Sequence, residues 1–227
     1  MQRVPTKIDY RRRKRVSDPV AGLAYQFNEA PRNTEFPEHA LVINLPRSTE
    51  RLAKFKASNN FTGTTEVLEA VDGTLHTPKV PSMKFGDVGC LLSHKKALEH
   101  ARDSGWSMAL IFEDDVIFPP DFNERLRQCM SELPADWELF WGGGKDNTPS
   151  IPYSPNLKRL TGSWGTFMYV IRNTVYQKFI EIFSEEFQSS DEYYRREHQS
   201  LQSYRASTDL VQHIWGASDR IVINQAK

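Results

Sequence analysis

The chain has 227 residues, with 29 Lys+Arg against 29 Asp+Glu and 39% hydrophobic content, which suits one large domain or two small ones with a proper core. Zero net charge removes any general case for nucleic acid, which is not expected as a partner; the local exception is the run Arg11-Arg12-Arg13-Lys14-Arg15. No window reaches the roughly 18 apolar residues of a spanning helix, and the first residues lack the apolar core of a secretory signal, so a soluble, cytoplasmic protein is expected.

Residues 1–38 mix Pro, Arg, Asn and Glu without a sustained period and read as a basic, loosely ordered N-terminal arm. A solvated tail is the plain reading of that arm; peripheral contact with an acidic membrane surface, a partner or RNA is the other. Residues 39–227 read as the domain. Ala40-Leu-Val-Ile-Asn-Leu45 is a short, β-branched apolar run and predicts a buried strand. Pro46 ends it, and Ser48 can cap a helix that carries Leu52 and Phe55 on one face. Thr64–Ala70 predicts a second strand, closed by the turn at Asp72-Gly73.

Val88, Leu91, Leu92, Lys95, Leu98 and Ala101 keep helical spacing, and Gly105 stands where a C-terminal cap belongs. Residues 107–112 form the next strand, and Glu113-Asp114-Asp115 follows at its carboxyl end. Asp121 can cap a helix with Phe122, Leu126, Cys129, Met130 and Leu133 inward. Residues 137–141 predict a strand running into Gly142-Gly143-Gly144, where backbone can approach a ligand closely. A polar, proline-marked loop is expected over 145–161, a strand over 165–171 and a helix over 173–187. Thr208 or Asp209 starts one more helix before a strand at 220–224. Cys90 and Cys129 both fall within helical stretches and are expected to be free, buried thiols, which suits a reducing compartment. The alternation of strands and helices predicts an α/β sandwich with a mostly parallel sheet, whose ligands sit beyond the carboxyl ends of the strands.

That rule puts Glu113-Asp114-Asp115 at a ligand site. Three adjacent carboxylates repel one another, and burying one unpaired is costly. If the extended geometry persists, Glu113 and Asp115 face one side and Asp114 the other, and two carboxylates on one side can share a divalent cation. Oxygen ligands select Mg²⁺ or Mn²⁺, which commonly bridge to phosphate oxygens. A capped, solvated turn is the plain alternative. A receiver domain would need acids near the first strand, which here ends in Asn44-Leu45-Pro46, and a haloacid-type phosphatase would need an Asp where Glu113 stands.

The ordered motifs VINLPRSTERL (42–52), EAVDG (69–73), GDVGCLLSHKKAL (86–98), LIFEDDV (110–116) and GTFMYVI (165–171), with the late Asp209, resemble glycosyltransferase family 25. That group includes lipooligosaccharide and procollagen galactosyltransferases. The resemblance implies a GT-A-like, Rossmann-type fold, and transfer of a sugar from a UDP-sugar, usually UDP-galactose, commonly with Mn²⁺ (or Mg²⁺). The acceptor would be a glycan, a lipid-linked oligosaccharide or a protein, and lipopolysaccharide biosynthesis is the setting implied. Carried over, Asp115 would ligate the metal, Glu113 would share it or face the ribose, and Asp114 would orient the sugar. Asp209 is then the candidate base, against a plain helix N-cap. Arg47 and Arg51 could meet the uracil or diphosphate, Asp72, Ser93 and His94 the donor, and His213 the metal as third ligand. Each also has an ordinary reading: surface cations, a turn residue, a structural helical histidine. Trp164, Tyr153 and the 145–161 loop could stack on an acceptor sugar or close the core. Pro46 departs from the acidic residue often found in the family's opening motif. The rival readings are a metal-dependent phosphohydrolase and a non-catalytic nucleotide-sugar or partner-binding domain.

Overall fold

The alternation of apolar strands and amphipathic helices folds into a main sheet covered by helices on both faces, with two small two-stranded sheets beside it. The structure, a computed structural model, describes residues 31–214; the basic run 11–15 and the strand expected at 220–224 lie outside them. The chain runs β1 (His39–Asn44), α1 (Thr49–Ser58), β2 (Thr64–Glu69), a 3-10 turn (Gly73–Leu75), α2 (Phe85–Asp103) and β3 (Met108–Glu113). Next come β4 (Val116–Ile117), α3 (Phe122–Glu132), β5 (Leu139–Trp141), β6 (Lys145–Asp146), β7 (Ile151–Pro152), β8 (Leu157–Arg159) and β9 (Ser163–Trp164). Then follow β10 (Met168–Arg172), a 3-10 turn (Asn173–Val175), α4 (Tyr176–Phe183), α5 (Ser190–Glu197), β11 (Ser203–Ala206) and β12 (Gln212–His213).

The main sheet has the order β2-β1-β3-β10-β5-β11-β8-β7. β1 pairs in parallel with β2 and β3, and β5 with β11; β10 is antiparallel to β3 and β5, and β8 to β11 and β7. Hence β2, β1, β3, β5, β11 and β7 point one way and β10 and β8 the other. The sheet is mostly parallel in direction, as expected.

Period-two alternation divides the core between its faces. Leu110 and Phe112 of β3 join Ala40, Val42, Phe55, Phe122 and Leu126 on the α1/α3 side. Ala109 and Ile111 join Leu41, Ile43, Leu91, Leu98 and Phe179 on the α2/α4 side. Because β3 is wholly buried up to Phe112, the acids after it emerge from the middle of the sheet. Gly105, with φ 71°, ends α2 in the left-handed conformation that favours glycine.

Several expectations give way to tertiary pairing. The stretch 145–161 is not a plain loop: β6 pairs with β9, and β7 and β8 extend the main sheet. Strands of two or three residues carry too little period to be read. The helix expected from Thr208 or Asp209 does not form, because Leu210 N donates to Gly142 O at 2.6 Å and Ile214 N to Asp115 O at 2.8 Å. The acceptors belong to neighbouring segments, so these N–H groups cannot also serve a helix, and β12 pairs with β4. The helix expected to reach 187 stops at Phe183, and Glu186 turns left-handed at φ 57°. Of the arm, residues 31–38 are described; Asn33 N donates to Leu133 O at 2.9 Å and Ala135 N to Pro31 O at 2.8 Å. Among the described residues no helix is long and apolar enough to cross a membrane.

Two glycines seat the 70–75 segment on α2. A Cβ at Gly73 would lie 1.7 Å from Phe85 O, and one at Gly89 would lie 2.8 Å from both Gly73 N and Val71 O. Backbone meets backbone there, so neither side can yield by rotating a side chain. Gly73→Ala is expected to destabilise the fold by about 1–3 kcal/mol, as overpacking does, with an unchanged m-value in urea unfolding. An unaltered midpoint would mean that this contact does not hold the segment in place.

Candidate active site

The strand leaves extended geometry at Glu113, and residues 114–115 form a turn. Simple alternation therefore stops one residue into the acid run, and each acid goes to different partners. Asp114 turns inward and is 4% exposed; it accepts from Asn44 Nδ2, and Arg51 Nη2 lies 3.0 Å and 3.2 Å from its two oxygens. Burial dominates its titration and pushes its pKa up to about 6, against the pull of Arg51 and Asn44.

Glu113 Oε1 accepts from Thr166 Oγ1 at 2.6 Å and lies 3.4 Å from His94 Nε2. Thr166 Oγ1 is also 3.0 Å from Asp191 Oδ1. One hydroxyl carries one proton, so Thr166 donates to only one of the two carboxylates. His94 is 1% exposed, and its Nδ1 is 3.0 Å from Tyr169 Oη, itself 3.1 Å from Tyr194 Oη. Burial works against the His94 imidazolium, but the Cys90 sulfur and the Glu113 carboxylate outweigh it and raise its pKa to about 10. Asp115 Oδ2 lies 3.4 Å from His213 Nε2, and burial of His213 is likewise outweighed by Asp115, then Glu113 and Asp191, raising its pKa. Asp115 Oδ1 is buried and accepts no hydrogen bond among the described residues.

Glu113, Asp114 and Asp115 all line one cleft that opens to solvent. Its lining also includes the apolar or backbone surfaces of Ile43, Leu45, Val71, Gly73 and Gly89, together with Arg51, Ser93, His94 and Cys90. Ser93 Oγ accepts from Val71 N at 2.8 Å and donates to Gly89 O at 2.6 Å, so its hydroxyl ties the 70–72 segment to α2. Arg47 and Asp72 form an ion pair, and Asp72 accepts from Thr74 N at 3.0 Å, capping the 3-10 turn. Arg47 first of all, against a smaller opposing effect of burial, lowers the Asp72 pKa to about 2.

Asp209 lies elsewhere. Its carboxylate is 2.7 Å from Arg205 Nη2, and it lines a neighbouring cavity with Phe118, Arg125 and Gln212. Arg205, 7% exposed, also holds Asp146 and Gly144 O, so the triple glycine is fixed by a buried cation. Trp164 is 42% exposed and donates to Glu192 Oε2 at 3.4 Å, while Tyr153 packs on Tyr204 against the core. Thr166, Tyr169 and Asp191 were not singled out from sequence. The Ser-Asp-Glu run opening α5 is a helix-start signal that could have drawn attention to Asp191.

An acid cluster at the carboxyl end of a strand in a mostly parallel sheet, lining a cleft, defines the class: an α/β protein whose acids stand where such sheets bind ligands. Comparison with known proteins narrows this class. A model of glycosyltransferase family 25 (LPS biosynthesis protein) matches residues 37–156, more than half of the chain. The chain belongs to glycosyltransferase family 25. The probable inactive glycosyltransferase 25 family member 3 of Bos taurus is 30% identical over 162 residues, 59% of this chain and 27% of that protein. Procollagen galactosyltransferase 2 of Homo sapiens is 28% identical over 141 residues, 51% of this chain and 22% of that one. The chain thus spans about a quarter of the length of these curated relatives. A solved glycosyltransferase involved in glycosylation of the major capsid of PBCV-1 superposes with a TM-score of 0.52 at 10% identity, over 83% of this chain and 97% of that one. The fold is GT-A-like, and the likeness extends to the fold alone.

Removing Arg51 isolates a buried carboxylate. Arg51→Met is expected to cost about 3 kcal/mol near pH 8, where Asp114 is ionised. Asp114 has a raised pKa in the fold, so its ionisation weakens folding as pH rises from about 4 to about 6. Without Arg51 that pKa rises further, so the difference between variant and parent shrinks as pH falls from about 8 toward about 6 and vanishes below about 6, where Asp114 is protonated in both folded forms. Urea unfolding at the two ends of that range checks the sign; a penalty independent of pH would count against the pairing.

Proposed function

We propose that this domain is a cation-dependent glycosyltransferase that takes a sugar, UDP-galactose being the first donor to test, from a UDP-sugar. The sugar goes to a hydroxyl of a glycan, lipid-linked oligosaccharide or protein, with inversion at the anomeric carbon. The observation that carries this reading is Asp115 Oδ1, a buried carboxylate oxygen that finds no hydrogen-bond donor among the described residues, on a side chain that lines the cleft and whose Oδ2 lies 3.4 Å from His213 Nε2. Leaving such an oxygen unsatisfied is expensive, and a hard divalent cation would satisfy it.

Asp115, with His213 Nε2 3.4 Å away, would hold Mn²⁺ or Mg²⁺, whereas Glu113, expected as a further ligand, groups with His94 and Cys90 instead. When bound, the ion supplies positive charge beside the departing diphosphate. The chain's own residues do the rest. The slot between Leu45, Val71 and the Gly73–Gly89 contact accepts a flat nucleobase, and the glycines let backbone come close to it. Asp72, oriented by Arg47, would accept from a ribose hydroxyl beside that slot. Arg51 is anchored by Asp114 and adds positive charge to the wall along which the diphosphate would lie. An acceptor hydroxyl must lose its proton, and Asp209, oriented by Arg205, is the first candidate to take it. Asp191 is the second, because Thr166 links it to Glu113 at the acid end of the cleft.

The name of the bovine relative keeps a non-catalytic reading in play, in which the domain binds a nucleotide sugar without turning it over. The deciding assay measures UDP release from a panel of UDP-sugars, with Mn²⁺ or with EDTA, in the presence of glycan and hydroxyl-bearing peptide acceptors. Release from one donor that needs the cation is expected. Asp115→Asn should reduce it at least ~100-fold, since even outer-shell partners of a metal ligand cost about 10–100-fold when lost. Release that survives EDTA and Asp115→Asn would sink the cation role, and donor binding without release would favour the non-catalytic reading. Between the candidate bases, the variant that loses about 10²–10⁴ in kcat identifies the proton acceptor: Asp209→Asn on the first choice, Asp191→Asn on the second.

A further inference from the structure

The cleft that Asp115 lines also carries a second donor set. Cys90 and His94 stand one helical turn apart on α2, at i and i+4, and therefore share a face. Glu113 meets them from the end of β3. One donor atom from each of Cys90, His94 and Glu113 lies within 4.8 Å of the other two. All three residues line the cleft, so an ion can reach them from solvent.

The surroundings of His94 are those of a held ligand. Nε2 faces Glu113 at 3.4 Å, while Nδ1 is engaged at 3.0 Å by Tyr169 Oη, which Tyr194 Oη holds in turn at 3.1 Å. A partner on the far nitrogen fixes the ring and its tautomer, which is how metal-ligating histidines are commonly oriented. His94, Tyr169 and Tyr194 are each at most 1% exposed, so the ring cannot swing away. The three donors sit on a long helix and a central strand, elements that are already rigid.

We propose that Cys90 Sγ, His94 Nε2 and Glu113 Oε1 form a binding site for a thiophilic divalent cation of the Zn²⁺ class, with its fourth position open to the cleft. The donor chemistry separates this site from the acids beside it. Thiolate and imidazole select zinc-like ions, whereas Asp115 and its oxygen neighbours suit Mg²⁺ or Mn²⁺. Three protein ligands with an open position is the arrangement of accessible zinc sites rather than closed structural ones. The ion takes the place of protons on the sulfur and the imidazole, which are released to solvent. Glu113 turns from Thr166 toward the ion or shares both. The inference stands independently of the sugar-transfer reading, since it requires neither donor nor turnover.

The test uses the full chain, reduced and stripped of metal, with Co²⁺ as the probe. One equivalent is expected to produce a thiolate-to-cobalt band in the near ultraviolet together with visible bands of a four-coordinate ion. Zn²⁺ should abolish both, and excess Mg²⁺ should leave them intact. Cys90→Ser should remove the near-ultraviolet band, and Asp115→Asn should keep it. Cys129, the other cysteine in the sequence, is buried and its pKa is pushed up to about 12 by that burial, so it remains a thiol. No thiolate band in the parent, its survival in Cys90→Ser or its loss in Asp115→Asn would each overturn the proposal. Should Cys90→Ser fail to fold, alkylation of Cys90 in the unaltered chain gives the answer. Zn²⁺ should slow it, because a thiolate held by the ion is no longer a free nucleophile, and an unchanged alkylation rate would refute the site.

Discussion

Three adjacent carboxylates at the end of a buried strand are the constraint around which this molecule is arranged. In a medium of low polarity their mutual repulsion would unfold the strand end unless each found its own counter-charge or donor. The fold solves this by sending them apart. Asp114 goes to Asn44 of β1 and Arg51 of α1, Glu113 to His94 of α2 and to Thr166, and Asp115 to His213 of β12. Elements distant in sequence are thereby tied to one point, and the point is the head of the cleft.

The reversed strand β10 matters for the same reason. Running antiparallel between β3 and β5, it brings Thr166 and Tyr169 to the acid end of the sheet, where an ordinary parallel crossover would have carried them to the other edge. Tyr169 in turn meets Tyr194 of α5, so the hydroxyl chain behind His94 spans three elements. Such a chain is inexpensive because every hydroxyl in it is both donor and acceptor. It leaves one face of His94 rigidly presented to the cleft.

Arg205 shows a second way of handling charge. A nearly buried guanidinium collects Asp146, Asp209 and the carbonyl of Gly144, and so fixes the glycine run after β5 to the segment leading to β12. Three acceptors around one fork of donors is a stable arrangement for a buried arginine. It also explains why Asp209 does not start a helix: its side chain and its neighbours' backbone are engaged by other strands.

Much of the fold was legible in the sequence because it is written in local periods. The runs at 40–45 and 107–112, the helical spacing from Val88 to Ala101 and the glycine at 105 each report a burial pattern that any α/β sheet requires. The acid run was equally plain, since consecutive carboxylates after an apolar strand contradict burial unless something compensates. The short strands at 145–164, helix α5 and strand β11 were hidden, because two to eight residues carry too little periodicity and their pairing partners are far away in the chain. The sequence by itself thus determined which residues are apolar, roughly where the longer strands and main helices lie, and that the acids form a focus. Only the tertiary structure decided which acid faces which partner, that Asp209 stands in a neighbouring cavity and that Cys90 joins His94 and Glu113, because those outcomes depend on distances between segments that no local pattern encodes.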